Sequence, residues 1–398
     1  MEKKIVLAYS GGLDTSIAIG WLKERGFRVY AYLGDVGQPM DKEKIKKKAL
    51  NCGVEKVVID DLKKEFIEDY VMPALKANAV YEDKYFLATA LSRPIIAKGM
   101  VEAAKKTGAG FVGHGCTGKG NDQVRFEMAV ASLAPDLKVV APAREWDFKS
   151  REEQVLFAQK HNIPVEATKK KPYSLDINLW GISIECGVLE DPRVSPPEDA
   201  YIMTKDPLSA SAKTKIVEIG FEKGIPVALN GKKTDKAALI NELNKIGGEC
   251  GVGRSDLIEN RFVGIKSREI YEAPAAAALI FAHKEVEAMV LDRETLHFKK
   301  QIEQKYSQLI YNGLWFSPLK EALDTFIDKT QEYVTGTIKL KLAKGNIIVL
   351  SRQSKFSLYS KELATYGQED TFDRTAAAGF IAISGLPYKL TGKRNKGR

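Results

Sequence analysis

Cysteine is scarce in this 398-residue chain: Cys52, Cys116, Cys186 and Cys250 stand far apart, with no Cys-x-x-Cys pair. That argues against a zinc site and against a disulfide framework, and makes the cytoplasm the expected compartment. No apolar run approaches the roughly 18 residues that would suggest a membrane span. The first apolar run, Ile5 to Tyr9, is short and ends in glycines, so no secretory leader is expected. Internal repeats are absent. The net charge of +9 comes from 61 basic and 52 acidic residues, and most of the excess is dispersed. Its clusters are Lys42–Lys48, read as the solvated face of a helix, Lys169–Lys171, and Lys389–Arg398, read as a disordered end. No aromatic residues interleave with them as a single-strand binder would require. Anionic small molecules suit this charge as well as nucleic acid does, so neither nucleic acid nor membrane is expected as a partner.

With 44% hydrophobic and 28% charged residues, the composition is that of an ordinary globular chain. At about 150 residues per domain, the length suggests two or three domains.

The densest local signal is Ile5-Val6-Leu7-Ala8-Tyr9-Ser10-Gly11-Gly12-Leu13-Asp14-Thr15-Ser16. Ile5 to Tyr9 reads as a strand buried on both faces. Leu13, Ile17, Ala18, Trp21 and Leu22 then recur at helical spacing until Gly26. A strand, a glycine turn and a helix start aim several N–H groups at one point, with the helix dipole behind them. The Ser10, Thr15 and Ser16 hydroxyls add donors, and Gly12 is expected to lie where a methyl group would strain the backbone and block an anion. This is a phosphate cradle, and it lacks the lysine of a Walker loop. Ser-Gly-Gly-Leu-Asp-Thr-Ser resembles the pyrophosphate loop of the N-type ATP pyrophosphatases, which cleave ATP between its α and β phosphates.

Residues up to about 165 alternate strand and helix: strands at Phe27–Leu33, Lys56–Ile59, Phe111–Val112, Lys138–Ala141 and Pro164–Ala167, with helices at Asp41–Asn51, around Leu62–Lys76, Pro94–Lys106 and Arg151–His161. That pattern predicts a parallel sheet covered by helices on both faces, an α/β fold with its ligand beyond the carboxyl ends of the strands. Ser10, Gly34-Asp35 and Gly113-His114-Gly115 should then line one crevice. From about residue 170 the texture becomes loop-rich. Strand candidates at Ile216–Ile219 and Val227–Leu229, helices at Lys236–Ile246, Ala275–Leu291, Arg293–Tyr311 and Pro318–Lys329, and a hairpin around 343–346 indicate a second, α+β domain.

The other dense stretch is Gly113 to Glu127. Gly113 to Lys119 formally satisfies G-x-x-x-x-G-K, yet Gly120 stands where a Walker loop needs a hydroxyl, so the match is a decoy. A loop presenting Thr117, Asn121, Asp122 and Arg125 is the better reading, with Asn121 or Asp122 as helix cap. Cys116 reads as an inert small hydrophobe.

The chain from about Lys4 to Leu386 resembles the argininosuccinate synthase family, within the ATP pyrophosphatase superfamily. The resemblance rests on residues 8–16, 113–127, Gly-Val-Gly-Arg-Ser-Asp-Leu-Ile-Glu-Asn-Arg-Phe-Val-Gly (251–264) and Lys-Ser-Arg-Glu-Ile-Tyr-Glu-Ala-Pro (266–274). It implies a nucleotide-binding domain over 1–168, a synthetase domain over 169–360 and a C-terminal oligomerisation arm over 361–398 that builds a homotetramer. It further implies ATP as substrate, as its magnesium complex, with no prosthetic group and no protein-held metal. Ala8, Tyr9, Ser10, Gly11, Gly12, Leu13, Asp14, Thr15, Ser16, Gly34 and Gly115 would hold ATP. Tyr85, Asn121, Arg125, Ser174, Ser183, Glu259 and Tyr271 would hold citrulline, Arg125 taking its carboxylate and Glu259 its ammonium group. Thr117, Asn121 and Asp122 would hold aspartate, with the Asp122 carboxylate placed to accept the amine's proton. Where the family often carries a hydroxyl this chain has Ala90, with Thr89 beside it as a substitute. Arg93, before Pro94, is within reach of an anionic substrate or else a surface arginine. A thiolating, transfer-RNA-modifying ATP pyrophosphatase would share the first loop, but needs a cysteine pair and an RNA-binding appendage that the sequence lacks. A nucleotide-binding module without catalysis would not need the 113–127 block.

Overall fold

The computed structural model describes residues 3–148, 150–164, 173–210 and 214–396. Part of the Pro164–Ala167 strand candidate and the Lys169–Lys171 cluster lie outside the described residues. Met1–Phe356 form one compact unit and Ser357–Arg398 a second.

Strands β1 (Lys3–Ala8), β2 (Phe27–Asp35), β3 (Lys56–Asp61), β4 (Phe111–Gly113) and β5 (Lys138–Val140) form a parallel sheet in the order β3-β2-β1-β4-β5. Ile5, Val6 and Leu7 are fully buried, as a central strand covered on both faces requires. One face packs on the helix Leu13–Glu24 through Ile17, Trp21 and Leu22. Ala97, Met100, Val101 and Ala104 of the helix Ala88–Thr107 cover the other.

That second helix starts six residues before the expected Pro94. Leu87 turns the chain with a left-handed backbone (φ 64°) and Pro94 sits inside the helix, past its first turn. A proline offers no N–H, so the Ala90 carbonyl one turn earlier goes without its helical partner. The extra turn carries Thr89, Ala90 and Arg93 towards the carboxyl ends of the strands.

The remainder of the larger unit is antiparallel. Strands β6 (Ser174–Asn178) and β7 (Gly181–Glu185) form a hairpin, followed by β8 (Lys215–Glu222), β9 (Ile225–Leu229) and β10 (Lys232–Lys233). Next come β11 (Arg254–Asn260), β12 (Lys266–Glu272), β13 (Gly336–Ala343) and β14 (Asn346–Gln353). They build a sheet β10-β9-β8-β13-β14 and a four-stranded sheet β11-β12-β7-β6. The loop-rich reading therefore missed that second sheet, although its residues alternate. Ser174 and Asp176, Ser183 and Glu185, Glu269 and Tyr271 are each two apart, so each pair points to one face. Polar residues on that face, where a core would be apolar, disguise the strand pattern.

In the smaller unit, the described part of the tail read as disordered, up to Lys396, lies in the helix Leu386–Lys396, preceded by the helix Arg374–Ser384. Lys393, Arg394 and Lys396 fall in its last turn, where positive charge complements the helix dipole.

Candidate active site

A cavity of about 630 Å³ opens at the carboxyl ends of β1, β2 and β4 and is closed from the other side by the β11-β12-β7-β6 sheet. That is a volume suited to small-molecule substrates. Of the residues assigned to ATP, it brings Ala8, Tyr9, Ser10, Thr15, Gly34 and Gly115 to its wall; Gly11, Gly12, Leu13, Asp14 and Ser16 are not on it. All seven assigned to citrulline line it, as do Thr117, Asn121 and Asp122.

The first loop is tied internally. Ser10 Oγ accepts from Gly12 N (3.3 Å) and lies 3.1 Å from Thr15 Oγ1. Ser16 donates to Gly12 O (2.8 Å) and contacts the Tyr9 hydroxyl (3.1 Å), fully buried, so its hydroxyl is a strut of the turn and not an anion donor. Gly11 holds the left-handed conformation (φ 79°), whereas Gly12 does not (φ −72°, ψ 172°). The backbone strain expected at Gly12 thus belongs to Gly11. Lys48 donates to Gly11 O (2.8 Å) and Lys42 pairs with the buried Asp35 (2.8 Å). The lysine-rich helix Lys42–Asn51 therefore clamps both loops instead of only facing solvent. At Gly115 a methyl group would stand 2.9 Å from Thr15 Cγ2, so only glycine lets the second loop rest on the first.

In the second loop Asn121 precedes the helix Asp122–Leu133 but makes no side-chain cap. Its Oδ1 accepts from Phe262 N (2.9 Å), and Arg261 donates to Lys119 O (3.1 Å). The β11–β12 turn thereby grips the glycine loop. Asp122 accepts from Arg93 (Nη2, 2.8 Å) and Arg125 (Nη1, 2.8 Å). Burial would raise its pKa, but the two guanidinium groups outweigh that and hold it below the usual carboxylate range. Asp122 is thus held as a carboxylate with both oxygens engaged by arginines. Arg93 also pairs with Asp176 and is largely buried, so the surface-arginine reading is replaced by a cavity residue.

Cys116 is partly buried; desolvation, then the nearby Asp122 charge, push its thiol up to about 12. It is inert as a nucleophile at neutral pH. Cys116→Ser should therefore retain turnover within about threefold of wild type. Loss of turnover in a folded Cys116→Ser protein would restore a sulfur-based mechanism.

Four tyrosines box in Glu259. Tyr85 stacks on Tyr271 (centroids 4.2 Å apart) and Tyr81 on Tyr311 (3.6 Å). The hydroxyls of Tyr271 (2.5 Å) and Tyr311 (2.6 Å) reach the two oxygens of Glu259, which is 2% exposed. Desolvation, then the neighbouring Glu269 charge, raise the Glu259 pKa well above the usual carboxylate range despite those hydrogen bonds. Arg125 donates to Tyr311 O (2.9 Å), leaving further guanidinium donors for a ligand. Thr89 Oγ1 lies 2.8 Å from Ser183 Oγ, so a hydroxyl does stand next to Ala90. Arg261, Asp176, Glu185 and Glu269 also line the cavity, none of them anticipated. The two-residue alternation with Ser174, Ser183 and Tyr271 is the signal that would have found the three carboxylates. No group of three or more His, Cys, Asp or Glu able to hold a metal occurs among the described residues.

A parallel sheet whose glycine turns converge on a cavity closed by a carboxylate-lined antiparallel sheet is the arrangement of an α/β enzyme of the nucleotide-binding class. Residues 4–164 match the family described as arginosuccinate synthase N-terminal HUP domain, and 173–391 its C-terminal domain. The chain is 57% identical to the argininosuccinate synthase of Pelodictyon phaeoclathratiforme, over 98% of this chain and 97% of that one. For the enzyme of Carboxydothermus hydrogenoformans the identity is 53%, over 100% and 99%. A solved structure titled as a predicted subunit of tRNA methyltransferase, from Methanocaldococcus jannaschii, covers 40% of this chain and 76% of its own at 13% identity and a TM-score of 0.28. The chain belongs to the argininosuccinate synthase family.

Proposed function

We propose that this protein joins L-citrulline to L-aspartate at the expense of ATP, forming argininosuccinate in arginine biosynthesis. The observation that carries the reading is the convergence of both glycine loops and the polar face of β11-β12-β7-β6 on one cavity. ATP, as its magnesium complex, would lie along the first loop with Gly34 towards the nucleoside and Gly115 beside Thr15. Citrulline would sit between Arg125 and Glu259, its carboxylate on the first and its ammonium on the second, with Tyr85, Asn121, Ser174, Ser183 and Tyr271 around it. Aspartate would contact Thr117, Asn121 and Asp122, and Arg93 is placed to meet one of its carboxylates.

The ureido oxygen attacks the α-phosphorus and the bond to pyrophosphate breaks. The aspartate amine then attacks the ureido carbon, the C–O bond breaks, and AMP leaves carrying that oxygen. Catalysis of this kind rests on holding reactants together and on charge stabilisation, and positioning alone can supply about 7–11 kcal/mol. A thiolating reaction would need a reactive sulfur, and the Cys116 thiol is held protonated.

The test uses citrulline labelled with heavy oxygen in the ureido group. Pyrophosphate release should require citrulline, and argininosuccinate formation should need aspartate as well, with all the label in AMP. Label in water or in pyrophosphate excludes the adenylate route.

We further propose the division into 1–168, 169–360 and 361–398, a cytoplasmic location, and a homotetramer held by the arm. No helix among the described residues is long and apolar enough to cross a membrane. Phe380, Ile381, Ile383, Tyr388 and Leu390 of the arm are exposed in the single chain, an apolar surface suited to another copy. Truncation before Ser357 should convert a tetramer to a smaller species in light scattering; an unchanged mass would separate the arm from assembly.

A further inference from the structure

The subsite around Glu259 holds one more carboxylate than the resemblance assigns. Glu269 lies two residues before Tyr271 on β12, and the Tyr271 hydroxyl oxygen is 2.5 Å from Glu259 Oε2 and 2.9 Å from Glu269 Oε2. A phenol has one proton, so it either donates fully to one of those oxygens or divides a weaker three-centre bond between them. A proton on Glu259 Oε2, donated to the phenol oxygen, makes both contacts full hydrogen bonds. The outer oxygens are already engaged: Glu259 Oε1 by the Tyr311 hydroxyl (2.6 Å) and Glu269 Oε1 by Arg261 Nη2 (2.6 Å). The extra proton therefore belongs on Glu259 Oε2, the nearer of the two oxygens that face Tyr271.

The surroundings agree with that placement. From the β11–β12 turn, Arg261 bonds Glu269, shares its Nη2 with Glu185 of β7, and stands 3.9 Å from Glu259. From the helix Asp122–Leu133 come Arg125 and Asp122, which is paired in turn with Arg93 of the helix Ala88–Thr107. Tyr311 closes the site from the end of the helix Arg293–Tyr311, with Tyr81 and Tyr85 stacked alongside. Five carboxylates (Asp122, Asp176, Glu185, Glu259 and Glu269) thus face three guanidinium groups (Arg93, Arg125 and Arg261). That excess of negative charge favours a bound proton when no ligand is present.

We propose that Glu259 carries an extra proton in the empty site, held against Tyr271 beside the Glu269 carboxylate, and that the ammonium group of citrulline expels it on binding. Glu269 is thereby a positioning residue that sets the charge of Glu259. This rests on the assignment of the cavity to citrulline. In the exchange the carboxyl O–H bond breaks, its electron pair stays on the carboxylate, and the buffer takes the proton. Citrulline enters and remains a zwitterion.

Isothermal titration of citrulline into the full chain decides the matter, alone and with a non-cleavable ATP analogue, in buffers of different ionisation enthalpy. About one pH unit below neutrality the wild-type protein should release close to a whole proton per citrulline, falling to about half near neutrality and fading as pH rises above it. Glu269→Gln keeps the size of the side chain and removes the adverse charge, so Glu259 should already be ionised and the release should fall several-fold, with binding retained. A merely structural Glu269 would alter affinity and leave the proton count as in wild type, which overturns the proposal. Saturable binding with the same heat in every buffer overturns it too, on wild-type protein alone. Absence of citrulline binding in either state would instead remove the citrulline reading, and the proposal with it.

Discussion

Gly12→Ala should fold like wild type and turn over at least roughly a hundredfold more slowly, the loss seen when a single oxyanion-type donor is removed. The folding half follows from the backbone: φ −72° and ψ 172° are open to any L-residue, and the new methyl meets only Ser10 Oγ, at 3.3 Å. Reduced freedom in the unfolded chain and a poorer helix cap offset one another to within about 1 kcal/mol. The activity half follows from position. Gly12 caps the helix Leu13–Glu24 and is solvent-exposed, at the helix start where the proposed pyrophosphate would approach the N–H groups. The methyl also crowds Ser10 Oγ, which accepts from Gly12 N. Gly11→Ala behaves differently, because φ 79° and Ile45 at 3.2 Å make it destabilising by about 1–2 kcal/mol. Thermal melts and steady-state pyrophosphate release on the two variants separate the effects. Wild-type turnover in a folded Gly12→Ala protein would take the loop out of the mechanism.

Replacing Glu259 by Gln should raise the KM for citrulline about a hundredfold, about 3 kcal/mol for a lost buried charge pair, with the KM for ATP nearly unchanged. The fold should not suffer, since Gln offers its oxygen to one of the Tyr271 and Tyr311 hydroxyls and its NH2 to the other, which can turn to accept. The sign of the pH effects follows from the raised pKa of Glu259. A folded-state value above the unfolded one means the folded protein holds its proton more tightly. Stability therefore falls as pH rises from the ordinary carboxylate range through the raised value, and Glu259→Gln should escape that loss. Citrulline binding should run the opposite way, because in the proposed site its ammonium pairs with the ionised carboxylate. The wild-type KM should fall as pH rises through the Glu259 transition and the Glu259→Gln profile should be flat there. Equal increases in KM for citrulline and ATP would mean that Glu259 supports the architecture of the cavity and not one substrate.

What could be read from the chain alone was local in sequence. The strand, glycine turn and helix of residues 5–22 follow from an apolar run, two glycines and a 3.6-residue period, and each signal lies within a few residues of the next. The same holds for the 113–127 loop and the alternation that makes the parallel sheet. The polar face of β11-β12-β7-β6 was not legible, because its strands carry serine, aspartate and glutamate where a half-buried strand ordinarily carries apolar residues. Nor could spacing predict that Arg261 would meet both Glu185 and Glu269, or that Phe262 would hold Asn121 from 141 residues away. Those meetings depend on antiparallel register, Tyr271 opposite Ser183 and Ser183 opposite Asp176. A shift of one residue would turn every one of these side chains to the other face. Local spacing thus determined the cradle, whereas the charge balance around Glu259 exists only once the sheet has closed over it.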